Sequence, residues 1–275
     1  MKNRAGKIER ISEPMDRLLK KLQPDGNWLK PSEPKAPVKC KCGGIIIRTF
    51  IEPIFYEGRV FAGTGVWVHD EKCQKCKEKE EAERLKAIQE QEYQSRIQRS
   101  GLYPKHLKMR FDNLIGEEDE ATKFCKKFCV SQDFNLFLWG GSGIKKTHLL
   151  SAVANELLKQ KDVHFWRTTD LLNNIRKTTV EYGSADADDW LKAEVESAAP
   201  ILLDDIGAEK VTDFALEKFY NFFDFCDLYE RKGIIIVSNL NLDTLAERLS
   251  DRITSRIAGL CKIKEVKGDD WRLKK

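Results

Sequence analysis

Residues 134–147 read Phe-Asn-Leu-Phe-Leu-Trp-Gly-Gly-Ser-Gly-Ile-Lys-Lys-Thr, an apolar run that gives way to glycines, two lysines and a threonine. A short apolar run bounded by glycine has the pattern of a buried strand, and the chain after Lys146 is helix-forming. Strand, glycine-rich turn and helix together make a phosphate cradle. Turn N–H groups and the helix N-terminus face the anion, and a lysine reaches the outer phosphates. Gly140, Lys146 and Thr147 fit the spacing G-x-x-x-x-G-K-[ST], but the glycine expected just before the lysine is Lys145. Gly140, Gly141, Ser142, Gly143, Ile144, Lys145, Lys146, Thr147 and His148 are therefore the candidate nucleotide-binding residues, with Lys146 for the phosphates and Thr147 for magnesium. A side chain at 145 is expected to crowd the phosphate or force the loop open, and Lys145→Gly is expected to raise nucleotide affinity.

Three downstream segments supply chemistry for such a loop. Ile201-Leu202-Leu203-Asp204-Asp205 is an apolar strand ending in two carboxylates. Asp204 is placed to organise magnesium, and Asp205 to orient or deprotonate an attacking water. Ile234 to Val237 run apolar into Ser238-Asn239, so a buried strand delivers Asn239 at its C-terminal end, where ligands bind in open α/β sheets. Asp251-Arg252-Ile253-Thr254-Ser255-Arg256 offers an arginine to a neighbouring subunit's γ-phosphate, with a surface ion pair as the plainer alternative for either arginine.

Outward from the loop, strands alternate with helices. Helices are expected at about 117–130, 146–159, 169–178, 190–197, 213–229 and, as one or two pieces, 242–256; 183–189 has the composition of a polar loop. Strands are expected at 136–139, 163–167, 200–205, 233–238 and 262–266. This order implies an α/β fold with a mostly parallel sheet covered on both faces. We divide the chain into a basic N-terminal segment (1–37, with an amphipathic helix within 6–22), a cysteine-rich β module (38–76, strands at 45–50, 55–60 and 65–68), a charged helical linker (77–100) and the nucleotide-binding domain (101–275).

The 275 residues are enough for one large domain and one small one, and 41% apolar residues are enough for a core. A net charge of +4 permits contact with nucleic acid without arguing for it. Arg176, Lys177, Lys105, Lys108 and Arg110 are the weak candidates for phosphate contacts, against the plainer alternative of solvated surface. No apolar run approaches the ~18–20 residues that cross a bilayer. The charged N-terminus lacks a signal core, so a cytoplasmic protein with no membrane partner is expected.

Eight cysteines in a reducing compartment are not expected to pair. Cys125, Cys129, Cys226 and Cys261 lie in apolar surroundings and count as buried small hydrophobes. Cys40-x-Cys42 and Cys73-x-x-Cys76 bracket the β module as a zinc tetrad, closed to water and therefore structural. The C-x-C half is tighter than usual, which leaves His69 as a substitute ligand.

Taken as a set, Leu-Trp-Gly-Gly-Ser-Gly-Ile-Lys-Lys-Thr-His-Leu, Ile-Leu-Leu-Asp-Asp-Ile-Gly-Ala-Glu-Lys, Ile-Val-Ser-Asn-Leu and Leu-Ala-Glu-Arg-Leu-Ser-Asp-Arg-Ile-Thr-Ser-Arg resemble the AAA+ ATPase domain of DnaC/DnaI-type replicative helicase loaders, relatives of the IstB transposition helpers. The lead-in Ser-Gly-Leu-Tyr-Pro-Lys-His-Leu is also similar. The resemblance covers residues from about 100 onward and implies ATP and Mg2+ at Lys146, Thr147 and Asp204, hydrolysis by Asp205, Asn239 as sensor, Arg256 as arginine finger and Arg272 as a second sensor. It implies that the Zn2+ module docks a hexameric replicative DNA helicase, that single-stranded DNA is the substrate, and that the domain self-assembles. Two alternatives stand beside the loader: an IstB-like transposition helper acting on duplex DNA, and a helicase-binding adaptor that lost turnover through Lys145.

Overall fold

The computed structural model describes residues 36–268 and 270, apart from 47, 52, 53, 57, 58, 63–65, 70 and 115–117. The helix expected within 6–22 and Arg272 lie outside the described residues. Two compact units divide the chain between Ile88 and Gln89.

The first unit opens with β1 (Val38–Lys39) and β2 (Ile45–Ile46), an antiparallel pair closed by the Cys40–Gly44 turn. Strands β3 (Arg48–Ile51) and β6 (Val66–His69) pair antiparallel, as do β4 (Ile54–Tyr56) and β5 (Arg59–Ala62). The single strand expected over 55–60 is thus divided between the two antiparallel strands β4 and β5. Helix α1 (Gln74–Arg99) then carries the chain across the boundary between the units. No residue in it is fully buried, as its nearly continuous charge requires. In its last turns Tyr93 and Ile97 pack on the second unit's core, and Arg96 Nη1 donates to the carbonyls of Leu158 (3.2 Å) and Lys159 (3.1 Å).

The second unit is a five-stranded parallel sheet with helices on both faces. In chain order its elements are α2 (Glu120–Val130), β7 (Leu136–Trp139), α3 (Lys146–Leu157), β8 (His164–Arg167), α4 (Thr168–Tyr182), α5 (Ser184–Glu196), β9 (Ile201–Ile206), α6 (Asp213–Leu228), β10 (Ile234–Ser238), α7 (Leu242–Arg248), α8 (Asp251–Leu260) and β11 (Lys262–Glu265). The expected strands are all present. The polar loop expected over 183–189 is instead mostly the start of α5: Ala187, Leu191 and Val195 recur every four residues and are fully buried among its aspartates.

Sheet order is β11-β7-β10-β9-β8. Side chains alternate across each strand, so the apolar runs feed two cores. Phe137, Ile201, Leu203, Ile234 and Ile236 face α4 to α8, including Phe219, Phe222 and Phe223. Leu136, Leu138, Leu202, Ile235 and Val237 face α2 and α3. Cys125 and Cys226 are fully buried, and burial raises their thiol pKa values, as befits small hydrophobes.

Candidate nucleotide site and cysteine cluster

The sheet order brings together three of the four segments singled out in the sequence: the loop, the acid pair and Asn239. β10 lies between β7 and β9, so Asn239 follows the strand separating the glycine-rich loop from the acid pair. Met109, the loop from Ser142 to Thr147, His148, Asp205, Val237 and Asn239 line a cleft of about 270 Å³ at the C-terminal ends of these strands.

Lys146 is buried, and its ammonium donates to the carbonyls of Gly140 (2.7 Å) and Gly141 (2.6 Å). The lysine is thus folded onto its own loop. Thr147 Oγ1 donates to Asp204 Oδ1 (3.1 Å), which joins the helix N-terminus to the acid strand. Burial pushes Asp204 up to about 6, and the neighbouring Asp205 charge adds to the shift. Asn239 Nδ2 donates to Asp205 Oδ1 (2.6 Å).

Asp205 has φ +63, a left-handed conformation uncommon outside glycine that aspartate and asparagine tolerate better than most residues. Its cause is a bulge. From the pair Ile236/Leu203 to the pair Ser238/Ile206, β10 advances two residues and β9 three. The extra residue turns Asp205 out of the ladder towards Asn239, whereas Asp204 stays in the strand, 4% exposed. Adjacent carboxylates in one strand thereby acquire different surroundings.

Lys145 also has positive φ (+70), so it takes the backbone conformation a glycine would have. The turn is kept and α3 begins on schedule at Lys146, at a strain of about 1–2 kcal/mol. The Lys145 side chain, 6% exposed, lies 3.8 Å from Asp119 Oδ2. Asp119 is the N-cap of α2, its Oδ1 accepting from Thr122 N at 2.8 Å. The expected steric conflict at 145 is therefore met by directing the lysine to a half-buried partner.

His148 Nε2 is 2.9 Å from Arg110 O and 3.0 Å from Asn113 Oδ1. Both are acceptors, since Asn113 Nδ2 is used on Lys108 O, so Nε2 carries the proton. The histidine thereby holds the lead-in segment, with Met109, over the cleft.

A neighbouring cavity of about 380 Å³ lies on the β8 side of Asp204, lined by Lys105, His106, Arg167, Thr168 and Thr169 among others. Arg167 and the threonines were not anticipated, because a strand end without acids or glycines gives no signal. His106 is fully buried, and burial first, then the Lys105 and Arg167 charges, depress it to about 4.

Arg256 is not directed outward in the single chain. It pairs with Asp224 and with Asp227 (3.2 Å), donates to Tyr220 Oη (3.1 Å) and stacks on that ring, all on α6. Arg252, one turn earlier, is exposed. Among the basic candidates, Lys177 lies 3.8 Å from Glu181, and Arg176 covers the Phe214 ring.

In the first unit the Sγ atoms of Cys40, Cys42, Cys73 and Cys76 all lie within 4.8 Å of one another. Cys42 and Cys73 are 3.3 Å apart, and Cys40 and Cys76 3.7 Å. Both cysteines of the tight C-x-C half join the cluster; the side chain of His69 lies outside the described residues. A Cβ on Gly44 would fall 2.7 Å from Cys73 Sγ and 3.3 Å from Cys42 Sγ, so glycine is needed to make room for the thiols. Backbone N–H groups of Cys42 and Cys73 lower Cys40 to about 6. Four convergent thiols, one poised as thiolate, fit a tetrahedral soft-ligand metal.

A parallel sheet in this order, with a phosphate loop after its second strand and acids on its fourth, defines an AAA+ P-loop ATPase domain. The family of IstB-like ATP binding proteins matches over residues 121–275, and the chain belongs to it. The chain is 32% identical over 189 residues to the chromosomal replication initiator protein DnaA of Leptospira biflexa, matching 64% of this chain and 40% of that protein. The chain thus spans less than half the length of the curated relatives it matches. A structure titled "Replication initiator DnaA bound to AMPPCP and single-stranded DNA" aligns at 25% identity with TM-score 0.51, over 62% of this chain and 52% of that one. The crystal structure of the DnaC helicase loader shares the fold at 22% identity with TM-score 0.52, over 60% of this chain and all of that one.

Proposed function

We propose that this protein is an ATP-dependent helicase loader, which binds a hexameric replicative DNA helicase and delivers it to single-stranded DNA during replication initiation. The observation carrying the proposal is the convergence of the loop, the Thr147–Asp204 contact and the Asp205–Asn239 contact on one cleft. Lys146 would leave the loop carbonyls for the β- and γ-phosphates. Thr147 and Asp204 would hold Mg2+, which supplies charge neutralisation on the phosphates. Asp205, held by Asn239 at the bulge of β9, is the acceptor for the proton of an attacking water. Asp204 belongs to the buried floor of the same site.

The helicase and DNA assignments are supported by the fold shared with the DnaC loader and by the ligands of the DnaA structure. The cysteine module, a closed site with no catalytic opening, is assigned to docking the helicase. Zinc is the metal its four thiols would hold. Self-assembly through the ATPase domain would bring an arginine of α8 to a neighbour's nucleotide. Because Arg256 is committed to Asp224 and Asp227, Arg252→Ala and Arg256→Ala separate the two arginines by their effect on hydrolysis in the assembled state alone.

The test is to mix the purified chain with a replicative helicase hexamer and circular single-stranded DNA. ATP-dependent transfer of helicase to DNA is expected, lost with Cys73→Ser and with Lys146→Ala. Duplex DNA binding without helicase binding would replace the loader with the IstB-like helper. Helicase binding with no response to nucleotide would replace it with the adaptor.

A further inference from the structure

The segment after β11 returns across the phosphate loop. Val266 N donates to Trp139 O (2.8 Å), and a Cβ on Gly140 would fall 2.6 Å from Val266 O. Lys267 N donates to Asp119 Oδ2 (3.4 Å), the same carboxylate oxygen that faces Lys145. Asp119 therefore ties the loop and the returning segment to one point.

Three residues on, the Asp270 carboxylate lies against Gly143. A Cβ built on Gly143 would collide with its Cγ and Oδ1 and fall 2.6 Å from Oδ2. Gly143 has φ +75 and belongs to the turn whose N–H groups and following helix N-terminus make an anion cradle. Lys145 and Lys146 add two positive charges within three residues of it. Packing a carboxylate onto such a turn follows the same electrostatics as packing a phosphate there. It is also possible only because residue 143 has no side chain.

We propose that Asp270 is a built-in occupant of the phosphate cradle, so that nucleotide enters by displacing the segment that follows β11. This rests on the nucleotide-binding reading of the same loop. It also gives Lys145 a role: through Asp119 it fixes the loop to the segment that carries Asp270, a tie that a chain with glycine at 145 would lack. The protein then exists in a self-occupied and a nucleotide-bound form, and nucleotide affinity is reduced by the fraction self-occupied.

The experiment measures binding of a fluorescent ADP analogue and of ATP, with magnesium, to the full chain and to Asp270→Ala, Asp270→Asn and Lys145→Gly. If the self-occupied form is nine-tenths populated, Asp270→Ala tightens binding about 10-fold. Asp270→Asn, which keeps the packing and removes the charge, is expected to tighten it too, and Lys145→Gly to do so by a smaller factor. Hydrogen exchange at Val266 and Lys267, whose N–H groups are bonded in the self-occupied form, should quicken when nucleotide saturates the parent chain. Unchanged or weaker binding by Asp270→Ala, or exchange that slows with nucleotide, overturns the proposal while leaving nucleotide binding intact. No binding by the parent or by any variant overturns both.

Discussion

The ATPase unit and the cysteine module achieve order by different means. The sheet of the first is sandwiched between two extensive apolar cores, in which three phenylalanines of α6 alone are at most 1% exposed. In the module, the buried cluster among the described residues is Cys40, Ile46 and Cys73, and two of these three are candidate metal ligands. Hydrophobic burial at about 25 cal/mol per Å² cannot hold so small a cluster. The ATPase unit therefore has stability to spare, and among its described residues it accommodates three non-glycine residues at positive φ: Lys145 and Asp205 at the nucleotide cleft, and Glu230 in the turn after α6. Strain of this kind persists only where the surroundings over-determine the backbone. Among the described residues, the cysteine end of the module has no such surplus, and its geometry depends on the thiols.

The largest expected effect separates the two units. Structural zinc contributes on the order of 10–16 kcal/mol in small metal-dependent domains. Chelation, or Cys40→Ser, should abolish the module's own unfolding transition and leave that of the ATPase unit in place, as followed by calorimetry with metal analysis. A single unaltered melting profile after chelation would break the comparison.

Acid should act in the opposite sense, on the ATPase unit. His106 titrates near 4 in the folded chain against 6.5 for a free histidine, so the unfolded state takes up the proton first. The contribution of the neutral histidine is fully present above pH 6.5 and is lost as pH falls towards 4. The loss amounts to at most about 3 kcal/mol. His106→Phe should flatten Tm against pH over that window, and an unchanged profile would remove His106 as the cause.

Lys146→Ala should separate function from stability. Losing a charge-assisted contact with phosphate costs about 1.5–3 kcal/mol of nucleotide binding, while the melting temperature without nucleotide should stay within a few degrees. Smallest is Lys145→Gly. Relief of about 1–2 kcal/mol of backbone strain is offset by the lost contact with Asp119 and by the greater freedom of glycine in the unfolded chain. Denaturant titration should give a net change below about 1 kcal/mol. A large loss of stability would mean that the Lys145–Asp119 contact, rather than the core, holds the loop in place.

Most of the sheet was legible because its strands are apolar runs ended by glycine, aspartate or asparagine, and the chemistry lies at those ends. The four cysteines were legible from spacing alone. The first half of helix α5 was not, because Asp186, Asp188 and Asp189 obscure its four-residue apolar repeat. Asp188 has a tertiary purpose, pairing at 2.9 Å with Lys218, which is 1% exposed. The strands Ile54–Tyr56 and Arg59–Ala62 passed for one because only two positions separate them in the sequence. The acidic cage around Arg256, the Asp119 contact of Lys145 and the Asp270 carboxylate on Gly143 join residues 29, 26 and 127 positions apart. No local pattern reports such pairings; they follow from the sheet order.

The measurement that tests the central claim most directly is calorimetric titration of the full chain with ATP, with and without magnesium. Saturable one-site binding that strengthens with magnesium and disappears in Lys146→Ala is the predicted result. Absence of binding in the parent chain and in Lys145→Gly alike would contradict the claim that this cleft is a nucleotide site.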